Sequence, residues 1–383
     1  MVLDSCGCGG DPGAADYDDA GADTLAHTAA AVGGIALPHL QALGLGNIVA
    51  GMAGVPPAAR PLAACGRLQE VSCGKDTTTG HWELAGLVTT TPFAVYPDGF
   101  SAALIEAFAA QTGRGVLGNR AASGTVILEE LGAEHMQRGE WIVYTSADSV
   151  FQIAAHEEVV PLQELYAACK VARRLCDPLR VARIIARPFV GQPGSFSRTY
   201  NRHDYGMPPP APTVLDRLAA AGVPVVGVGK ISDIFSGQGL SESILSAGNL
   251  DGLEQTAARF ADLEAGLVFV NLIDFDMLYG HRRDAEGFAA ALREFDAFLP
   301  RILELVGPED LLLLTADHGN DPTHRGTDHT REQVPLLALR GPAGAAGRDL
   351  GLRQGFYDVA ATVAEALGLD PLDHGASFLQ EMS

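Results

Sequence analysis

The chain has 383 residues, of which 47% are hydrophobic and 19% are charged. These proportions exclude a disordered or fibrous chain and allow a large core, in two domains or in one domain with an insertion. The net charge of −21 argues against a general nucleic-acid or anionic-membrane surface, because both need a basic face.

The number and spacing of the cysteines indicate whether the protein works in a reducing or an oxidising compartment. The six cysteines have neither zinc-finger spacing nor the density of a disulfide framework, so we expect reduced thiols in a cytoplasmic protein. No basic segment followed by an apolar one opens the chain, and we expect no secretory signal. The Ala/Gly-rich stretch at 29–55 comes nearest to a membrane span, but Pro38 and repeated glycines interrupt it. We therefore predict buried helix and loop there, and no membrane partner.

The first predicted element is a short apolar strand that ends at Asp4 and runs into a glycine turn. A carboxylate in this position suits a site at the edge of a sheet. The alternative is that Asp4 only caps a helix in the following loop.

The next notable stretch is a polar, glycine-flanked turn at 73–83, CGKDTTTGHWE, which enters a helical pattern. A hydroxyl there faces a helix N-terminus that favours anions, although a threonine in this position is usually just a cap. A neutral hydroxyl is also a poor nucleophile unless a metal or base activates it. The pattern does not rank Thr77, Thr78 and Thr79.

Two proline-marked boundaries, at 92–99 and 207–212, enclose a region of short strands and helices. They predict a smaller α/β domain of residues 92–210, inserted into a host formed by 1–91 and 211–383. Within the insertion we predict strands at 141–145 and 183–186 and a helix at 162–174.

After the insertion, strands alternate with helices, which predicts an α/β fold with a doubly wound, mostly parallel sheet. The predicted strands are 223–228, 267–273, 311–316 and 334–339, with a helix at 288–305 that Pro300 breaks. The second of these strands runs into Asp274-Phe275-Asp276, and the third into Asp317-His318-Gly319.

Three strand ends therefore offer carboxylates to the edge of the sheet where α/β proteins place their sites. We expect a turn at Gly280 to bring His281 beside Asp276, and a turn at Gly319 to bring His318 beside Asp317. With Asp4 and a loop residue, His329, this donor set suits Zn²⁺ or Mn²⁺, and paired ions assist phosphoryl transfer. From the residues alone, scattered and internally satisfied Asp and His side chains remain the alternative.

Seven segments resemble a known family: LDSCGCG, GKDTTTGHWE, YTSADSVFQIAAHEE, RPFVGQPGSFSRTYNRHDY, GKISDIF, DFDMLYGHRRD and TADHGNDPTHRGTDHTRE. Together they resemble the prokaryotic phosphopentomutases of the alkaline phosphatase superfamily, nearly from end to end. TADHGN identifies only the superfamily, whereas GKDTTTGHWE with NRHDY and GHRRD is much more specific.

The resemblance implies an alkaline phosphatase-like metal core with an inserted cap, and Thr77 as the residue that is phosphorylated. It also implies two Mn²⁺ ions, one held with the nucleophile by Asp4, Asp317 and His318, the other held by Asp276, His281 and His329. The residues implied to bind the sugar and its distal phosphate are Asp148, Arg187, Arg202 and Lys230.

The implied enzyme is an isomerase of nucleoside salvage that interconverts ribose (or 2-deoxyribose) 1-phosphate and 5-phosphate. The implied route runs through phospho-Thr77 and a 1,5-bisphosphate, with a sugar bisphosphate as activator and small pentose phosphates as the partners. Two rivals stay open: a hydrolase of the same superfamily, which would release free phosphate, and a metal-binding relative without catalysis, which would form no phosphothreonine. The metal used in the cell and the oligomeric state are open as well.

Overall fold

The computed structural model describes residues 1–146, 148–341 and 347–382. The chain divides into two compact units. We call Met1–Thr90 with Pro209–Ser383 the core unit, and Thr91–Pro208 the inserted unit. That these units act as catalytic core and cap stays a prediction.

The described residues form fourteen strands, numbered in chain order. They are β1 (Val2–Leu3), β2 (Ala64–Leu68), β3 (Val116–Ala121), β4 (Trp141–Thr145), β5 (Val150–His156), β6 (Arg183–Val190), β7 (Ser197–Arg198), β8 (His203–Gly206), β9 (Val225–Val228), β10 (Glu242–Ile244), β11 (Leu267–Leu272), β12 (Leu311–Thr315), β13 (Val334–Arg340) and β14 (Asp349–Arg353).

The same residues form twelve α-helices. They are α1 (Thr24–Ala31), α2 (Pro38–Leu43), α3 (Leu45–Ile48), α4 (Thr77–Leu84), α5 (Ala102–Thr112), α6 (Gly124–Arg138), α7 (Leu162–Cys176), α8 (Val214–Ala220), α9 (Ile231–Ile234), α10 (Asn249–Asp262), α11 (Ala285–Leu303) and α12 (Tyr357–Ala366). Short 3₁₀ turns lie at Ala14–Tyr17, Asp177–Leu179 and Gln380–Met382, and a π-helical turn lies at Phe275–Gly280. None of the described helices is long and apolar enough to cross a membrane.

The core unit is built on an eight-stranded sheet in the order β10-β9-β11-β1-β12-β13-β2-β14. Strands β10, β9, β11, β1 and β12 run parallel, β13 is antiparallel to both of its neighbours, and β14 is parallel to β2. Helices α1, α2 and α10 pack with α11, whereas α4 and α8 pack with α12, so the helices form two layers. Both layers contact the sheet, through α10 on one side and α8 and α9 on the other. The predicted doubly wound, mostly parallel α/β fold is confirmed.

The predicted break of a helix at Pro300 is wrong, because α11 continues through it to Leu303. Pro300 lies in the last turn, where a missing N–H removes one hydrogen bond near the end of the helix. The buried face that includes Phe288, Leu292, Phe295 and Leu299 holds the helix against its neighbours.

The inserted unit has its own six-stranded sheet, in the order β3-β4-β5-β6-β7, with β8 paired to β6. Strands β4 and β6 and helix α7 confirm the three elements predicted here. Phe108, Trp141 and Phe151 are fully buried in a core of its own. Because it has a separate sheet and a separate core, the inserted unit meets the physical description of a domain.

Candidate active site

The centre of the core sheet aligns three strand ends. Strand β1 lies between β11 and β12, with Leu3 opposite Leu272 and Val2 opposite Thr315. Each strand is followed within a few residues by an aspartate, because Asp4 comes directly after β1, Asp276 after β11 and Asp317 after β12. Parallel strands therefore deliver three carboxylates to the same edge of the sheet, as the sequence predicts.

The donor atoms form two groups that share His318. Those of Asp4, Asp317 and His318 all lie within 4.8 Å of one another, and so do those of Asp276, His318 and His329. His318 Nε2 is 3.4 Å from Asp4 Oδ1 and 3.3 Å from Asp317 Oδ2. His329 Nε2 is 3.3 Å from Asp276 Oδ1. Because His318 reaches both groups, its implied assignment to a single ion stays a prediction.

His281 reaches Asp276 by a route that the sequence does not reveal. The predicted turn at Gly280 is instead the end of a π-helical turn, in which the His281 N–H donates to the Asp276 carbonyl over 3.1 Å. Residues five apart come onto one face in a π-helix, whereas an α-helix would separate them. His281 Nε2 consequently lies 3.3 Å from Asp276 Oδ2.

The two glycines beside the ligands serve a different purpose from the predicted one. Neither Gly280 nor Gly319 has a left-handed backbone, so neither is needed to turn the chain. A Cβ on Gly280 would lie 2.7 Å from Asn320 Cγ, and a Cβ on Gly319 would lie 2.1 Å from Glu332 Oε1. Both positions require glycine because another side chain approaches the backbone closely.

The donor set fits divalent cations. Asp4 Oδ1, Asp317 Oδ2 and His329 Nε2 are buried, and among the described residues none of the three makes a hydrogen bond of normal geometry, although other members of the two groups lie close by. A buried polar atom without a partner is costly, and these three atoms belong to the two ligand groups. Ligands about 2.1 Å from one tetrahedral ion lie about 3.4 Å apart. The spacing within the groups therefore matches what cation ligands need.

The electrostatics of the cluster agree with this fit. Burial, and then the charges of Asp317 and Asp276, raise the pKa of Asp4 well above its usual value. Burial acts to lower the pKa of His318, but the carboxylates of Asp317 and Asp4 raise it to about 9. Burial acts to raise the pKa of Asp276, but His329 and other nearby histidines lower it well below its usual value. Carboxylates crowded in a dry site attract positive charge, either as protons or as metal ions.

Thr77 contacts this cluster directly. It is the first residue of α4, and its Oγ1 is 3.1 Å from His318 Nε2. A threonine in this turn is usually a helix cap, but here the cap of α4 is Asp76. Its side chain accepts hydrogen bonds from the backbone N–H groups of Thr78 and Thr79 at 3.0 and 3.2 Å. Thr79 Oγ1 donates to Asp76 Oδ2 over 2.7 Å and so belongs to the cap. The geometry therefore distinguishes Thr77 from Thr79, which the sequence pattern does not.

Three residues that the sequence reasoning missed make hydrogen bonds or close contacts to the candidate ligands. Asn271 Nδ2 donates to Asp4 Oδ2 over 2.7 Å, and Asn320 Nδ2 donates to Asp276 Oδ1 over 2.8 Å. His81 is fully buried, and its Nδ1 lies 2.9 Å from the Thr77 carbonyl oxygen and 3.0 Å from Asp317 Oδ2. An available signal was the single polar residue, Asn271, inside the apolar run LVFVNLI.

The sequence reasoning also missed Arg331. This residue follows the candidate ligand His329 and connects its loop to the turn before α4. Its side chain is buried, and Nη1 donates to Glu70 Oε2 and to the Ser72 carbonyl, both at 2.8 Å. Its Nε donates to Asp11 Oδ2 over 3.2 Å, and its Nη2 donates to the Glu70 carbonyl. A planar guanidinium can hold several partners at fixed angles, so Arg331 fixes the turn that leads to Thr77.

Three of the four predicted substrate residues lie in the inserted unit. Arg187 is half-buried, and its Nε donates to Gln152 Oε1 over 3.0 Å. Burial, and then the charge of Arg202, lower the pKa of Arg187, with a smaller contribution from Arg198. These arginines form a concentration of positive charge of the kind that binds phosphate. Sequence reasoning missed Arg198, although it stands in the quoted segment SFSRTYNRHDY.

The other three predicted substrate residues are more exposed than Arg187. Arg202 is held by Asp204, to which its Nε and Nη2 donate over 2.7 and 2.6 Å. The Asp148 side chain is 71% exposed, and Arg183 Nη2 lies 4.0 Å from it. Lys230 is exposed and lies in the core unit, where it precedes α9. Their substrate roles stay predictions.

Comparison with known proteins finds relatives that match the whole chain. A family model described as the Metalloenzyme superfamily matches residues 1–371. A phosphopentomutase from Anaeromyxobacter dehalogenans is 59% identical over 384 residues, which cover 100% of this chain and 98% of that relative. A phosphopentomutase from Desulfitobacterium hafniense is 52% identical over 383 residues, with 100% and 98% covered. Among solved structures, a protein from Pyrococcus horikoshii aligns with a TM-score of 0.48 and 15% identity, over 98% of this chain and 97% of that one.

Proposed function

The chain belongs to the phosphopentomutase family of the metalloenzyme superfamily, and we propose that Thr77 carries the phosphoryl group during its reaction. The family acts on small sugar phosphates as a phosphomutase. The observation that carries the proposal is the contact of 3.1 Å between Thr77 Oγ1 and His318 Nε2, the residue common to both ligand groups.

The proposed cycle begins with phospho-Thr77 and ribose (or 2-deoxyribose) 5-phosphate. The free O1 of the sugar attacks the phosphorus, a new O–P bond forms, and the bond from phosphorus to Thr77 Oγ1 breaks. The sugar hydroxyl loses its proton, and Thr77 gains one. The 1,5-bisphosphate then turns end for end, and Thr77 Oγ1 attacks the 5-phosphorus, so that the bond from phosphorus to O5 breaks. Thr77 loses its proton and O5 gains one, which releases the 1-phosphate and restores phospho-Thr77. The reverse direction uses the same steps.

We propose that the site holds two divalent cations and that these are Mn²⁺. A mixed set of imidazole nitrogen and carboxylate oxygen donors suits Mn²⁺, and it also accepts Zn²⁺ or Mg²⁺. When bound, such ions neutralise phosphoryl oxygens and lower the pKa of a threonine hydroxyl. The residues that would hold them are Asp4, Asp317 and His318, and Asp276, His281 and His329. The remaining parts of the chain position the reacting groups, since Asp76 caps the helix that presents Thr77 and Arg331 anchors the turn before it.

Recognition of the sugar phosphate is assigned to Asp148, Arg187, Arg202 and Lys230. A chain with a net charge of −21 repels an anionic substrate except where positive charge is concentrated. Arg187 supports this role because it is half-buried among other arginines, and a phosphate would relieve their mutual repulsion. In this structure the Asp204 carboxylate forms an ion pair with the guanidinium of Arg202, so a substrate phosphate would have to replace that carboxylate.

A sugar bisphosphate would serve as activator, because the cycle needs a phosphoryl group on Thr77 before the first turnover. We place the enzyme in nucleoside salvage in the cytoplasm. All six cysteines are free thiols, five of them buried, which agrees with a reducing compartment.

Phosphorus NMR tests the proposal, because it separates pentose 1-phosphate, 5-phosphate and free phosphate in one mixture. Thr77→Ala should reduce isomerisation to background while leaving Mn²⁺ content nearly unchanged. The matched control is Thr78→Ala, which keeps Asp76 as the cap and should keep most of the activity. Isomerisation by Thr77→Ala would remove that residue from its role. Release of free phosphate by the wild-type protein as fast as isomerisation would favour a hydrolase instead.

A further inference from the structure

His81 is a fully buried histidine of α4 that belongs to neither proposed ligand group. It comes four residues after Thr77, and residues four apart lie on the same face of a helix. A helical side chain points back towards the N-terminus, and the His81 ring accordingly reaches the Thr77 carbonyl oxygen, 2.9 Å from Nδ1. The spacing TTTGH therefore places an imidazole directly behind the residue proposed to carry phosphate.

Helix α4 packs directly on the segment that carries Asp317 and His318. A Cβ on Gly80 would lie 2.1 Å from the Asp317 carbonyl oxygen, so this close approach requires glycine. His81 Nδ1 lies 3.0 Å from Asp317 Oδ2. The position of Thr77 relative to the ligand groups therefore depends on how α4 rests on this segment, and Gly80 and His81 both lie at that contact.

The other ring nitrogen of His81 faces strand β11. Nε2 lies 3.3 Å from Asn271 Nδ2, and the same amide group donates to Asp4 Oδ2 over 2.7 Å. The ring centroids of His81 and Phe269 are 5.8 Å apart, and Phe269 is on the same face of the strand as Asn271, two residues later. One imidazole thus connects the Thr77 carbonyl, through Asn271, to the carboxylate of a proposed ligand.

These contacts determine which ring nitrogen carries the hydrogen. A backbone carbonyl only accepts hydrogen bonds, so Nδ1 carries the hydrogen that it shares with the Thr77 carbonyl. Asn271 directs its NH₂ group at Asp4, because an ionised carboxylate only accepts, and the same NH₂ group faces Nε2 of His81. Nε2 must therefore offer its lone pair. A hydrogen on Nε2 would set two donors against each other, so the arrangement needs the neutral ring with its hydrogen on Nδ1.

We propose that His81 is a positioning residue of the phosphoryl-transfer reaction, which holds Thr77 in a fixed place relative to Asp4 and Asp317. This inference rests on the proposed function of Thr77 and extends it to the residue behind it. Because its ring is fully buried, His81 acts through Thr77 and does not touch the phosphoryl group. A reacting group that is misplaced by about 1 Å can slow a reaction by about 100-fold. An effect of that size is expected when the Nδ1 donor is removed.

Two amide side chains separate the roles of the two ring nitrogens. In His81→Asn the amide is as far from the backbone as Nδ1, so it can still donate to the Thr77 carbonyl. In His81→Gln the amide is as far from the backbone as Nε2, so it can accept from Asn271 but does not reach Thr77. His81→Phe keeps a ring and removes both nitrogens. Asn and Gln both bring one amide into the same buried place, so each is the matched control for the other.

Rapid-quench mass spectrometry measures how fast Thr77 gains phosphate from ribose 1,5-bisphosphate at saturating Mn²⁺, and isothermal titration calorimetry measures the Mn²⁺ affinity. His81→Phe and His81→Gln should lose about 100-fold in phosphorylation rate and in kcat, with KM nearly unchanged, because the lost contact acts on a reacting group. His81→Asn should regain most of this loss and come within about tenfold of the wild type. His81→Gln should bind Mn²⁺ as tightly as the wild type, whereas the other two variants should bind it about tenfold more weakly, because Asn271 loses its second acceptor.

The comparison of His81→Asn with His81→Gln decides the role of His81. Equal losses of rate in these two variants would show that His81 only fills space, and a rescue by Gln instead of Asn would show that Nδ1 is not the nitrogen that matters. Phosphorylation of Thr77 at the wild-type rate in all three variants would overturn this inference and leave the proposed function intact. If the wild-type protein gained no phosphate on Thr77, the proposed function would fail, and the role of His81 with it.

Discussion

Two of the proposed ligands are each held by a neighbouring amide that fixes the orientation of the carboxylate. Asp4 accepts a hydrogen bond from Asn271, and Asp276 accepts one from Asn320. A carboxylate that is held by one oxygen presents the other to a cation in a defined direction. We therefore expect the two amides to affect metal binding, although neither belongs to a proposed ligand group.

We predict that Asn271→Leu weakens Mn²⁺ binding by about tenfold or more, because Asp4 loses the donor that orients it. Isothermal titration calorimetry measures this directly. Asn47→Ala is the control, since the Asn47 side chain bonds to the exposed backbone of Ala58 and its loss should leave the affinity unchanged. Unchanged binding in Asn271→Leu would mean that Asp4 needs no such support.

A half-buried ion pair beside the site makes stability depend on pH. His27 Nδ1 lies 2.6 Å from Asp321 Oδ2, with the histidine side chain 43% exposed and the aspartate fully buried. Burial acts to lower the pKa of His27, but Asp321 raises it above 6.5 overall. The protonated histidine thus adds stability that is present below pH 6.5 and is lost as the pH rises through the folded-state pKa. Burial acts to raise the pKa of Asp321, but His27 and Thr323 lower it, so its contribution is lost only in acid.

His27→Gln should therefore cost more stability at pH 5.5 than at pH 8.5, by about 1 kcal/mol or less because the histidine is partly exposed. Urea unfolding of both proteins at the two pH values gives the difference. A cost that grew with pH would contradict the assigned protonation.

At the scale of elements, the brace formed by Arg331 joins three segments of the core unit. It reaches Glu70 and the Ser72 carbonyl before α4, and Asp11 in the first loop. We predict that Arg331→Lys lowers the free energy of unfolding by about 3 kcal/mol, because one ammonium cannot replace all of these bonds and leaves buried carboxylates unpaired.

Urea unfolding tests the brace, with Arg301→Lys as the control. Arg301 makes an exposed ion pair with Glu254, and its replacement should change stability by less than about 0.5 kcal/mol. The phosphorylation rate of Thr77 in Arg331→Lys should also fall. If Arg331→Lys were as stable and as active as Arg301→Lys, the contacts of Arg331 would contribute neither to stability nor to the position of Thr77.

The elements also show what a sequence can and cannot predict. An apolar run followed by Asp is visible in one dimension, so the approach of Asp4, Asp276 and Asp317 could be predicted from strand ends alone. The π-helical turn was not predictable, because its hydrogen bonds span only one residue more than those of an α-helix and the sequence DFDMLYGH suits either. The reason for Gly319 was hidden too, since Glu332 approaches it only in the folded chain.

At the scale of the molecule, cation binding should stabilise the core unit selectively. Three buried carboxylates repel one another there, and bound Mn²⁺ at 100 times its dissociation constant adds about 2.7 kcal/mol for each independent site. Hydrogen exchange should slow in β11 and β12 when Mn²⁺ replaces EDTA, while β5 and β6 of the inserted unit serve as the internal control. Equal exchange with Mn²⁺ and EDTA would argue against a metal centre.

The net charge of the molecule follows from its composition, but the positions of the charged side chains in the fold do not. A net charge of −21 requires local positive charge for any phosphate substrate. The segment resembling the family pointed to Arg187 and Arg202, yet only the fold adds Arg198 beside them and pairs Arg202 with Asp204. Arg187 lies in β6 and Arg198 in the neighbouring strand β7, so their approach depends on strand pairing and not on spacing along the chain.

The most direct test of the central claim is mass spectrometry of the intact protein and its peptides after incubation with ribose 1,5-bisphosphate and Mn²⁺. We predict one added phosphate, which is localised to Thr77 and is absent from Thr77→Ala. A phosphate on another residue, or none on an otherwise active enzyme, would contradict the account.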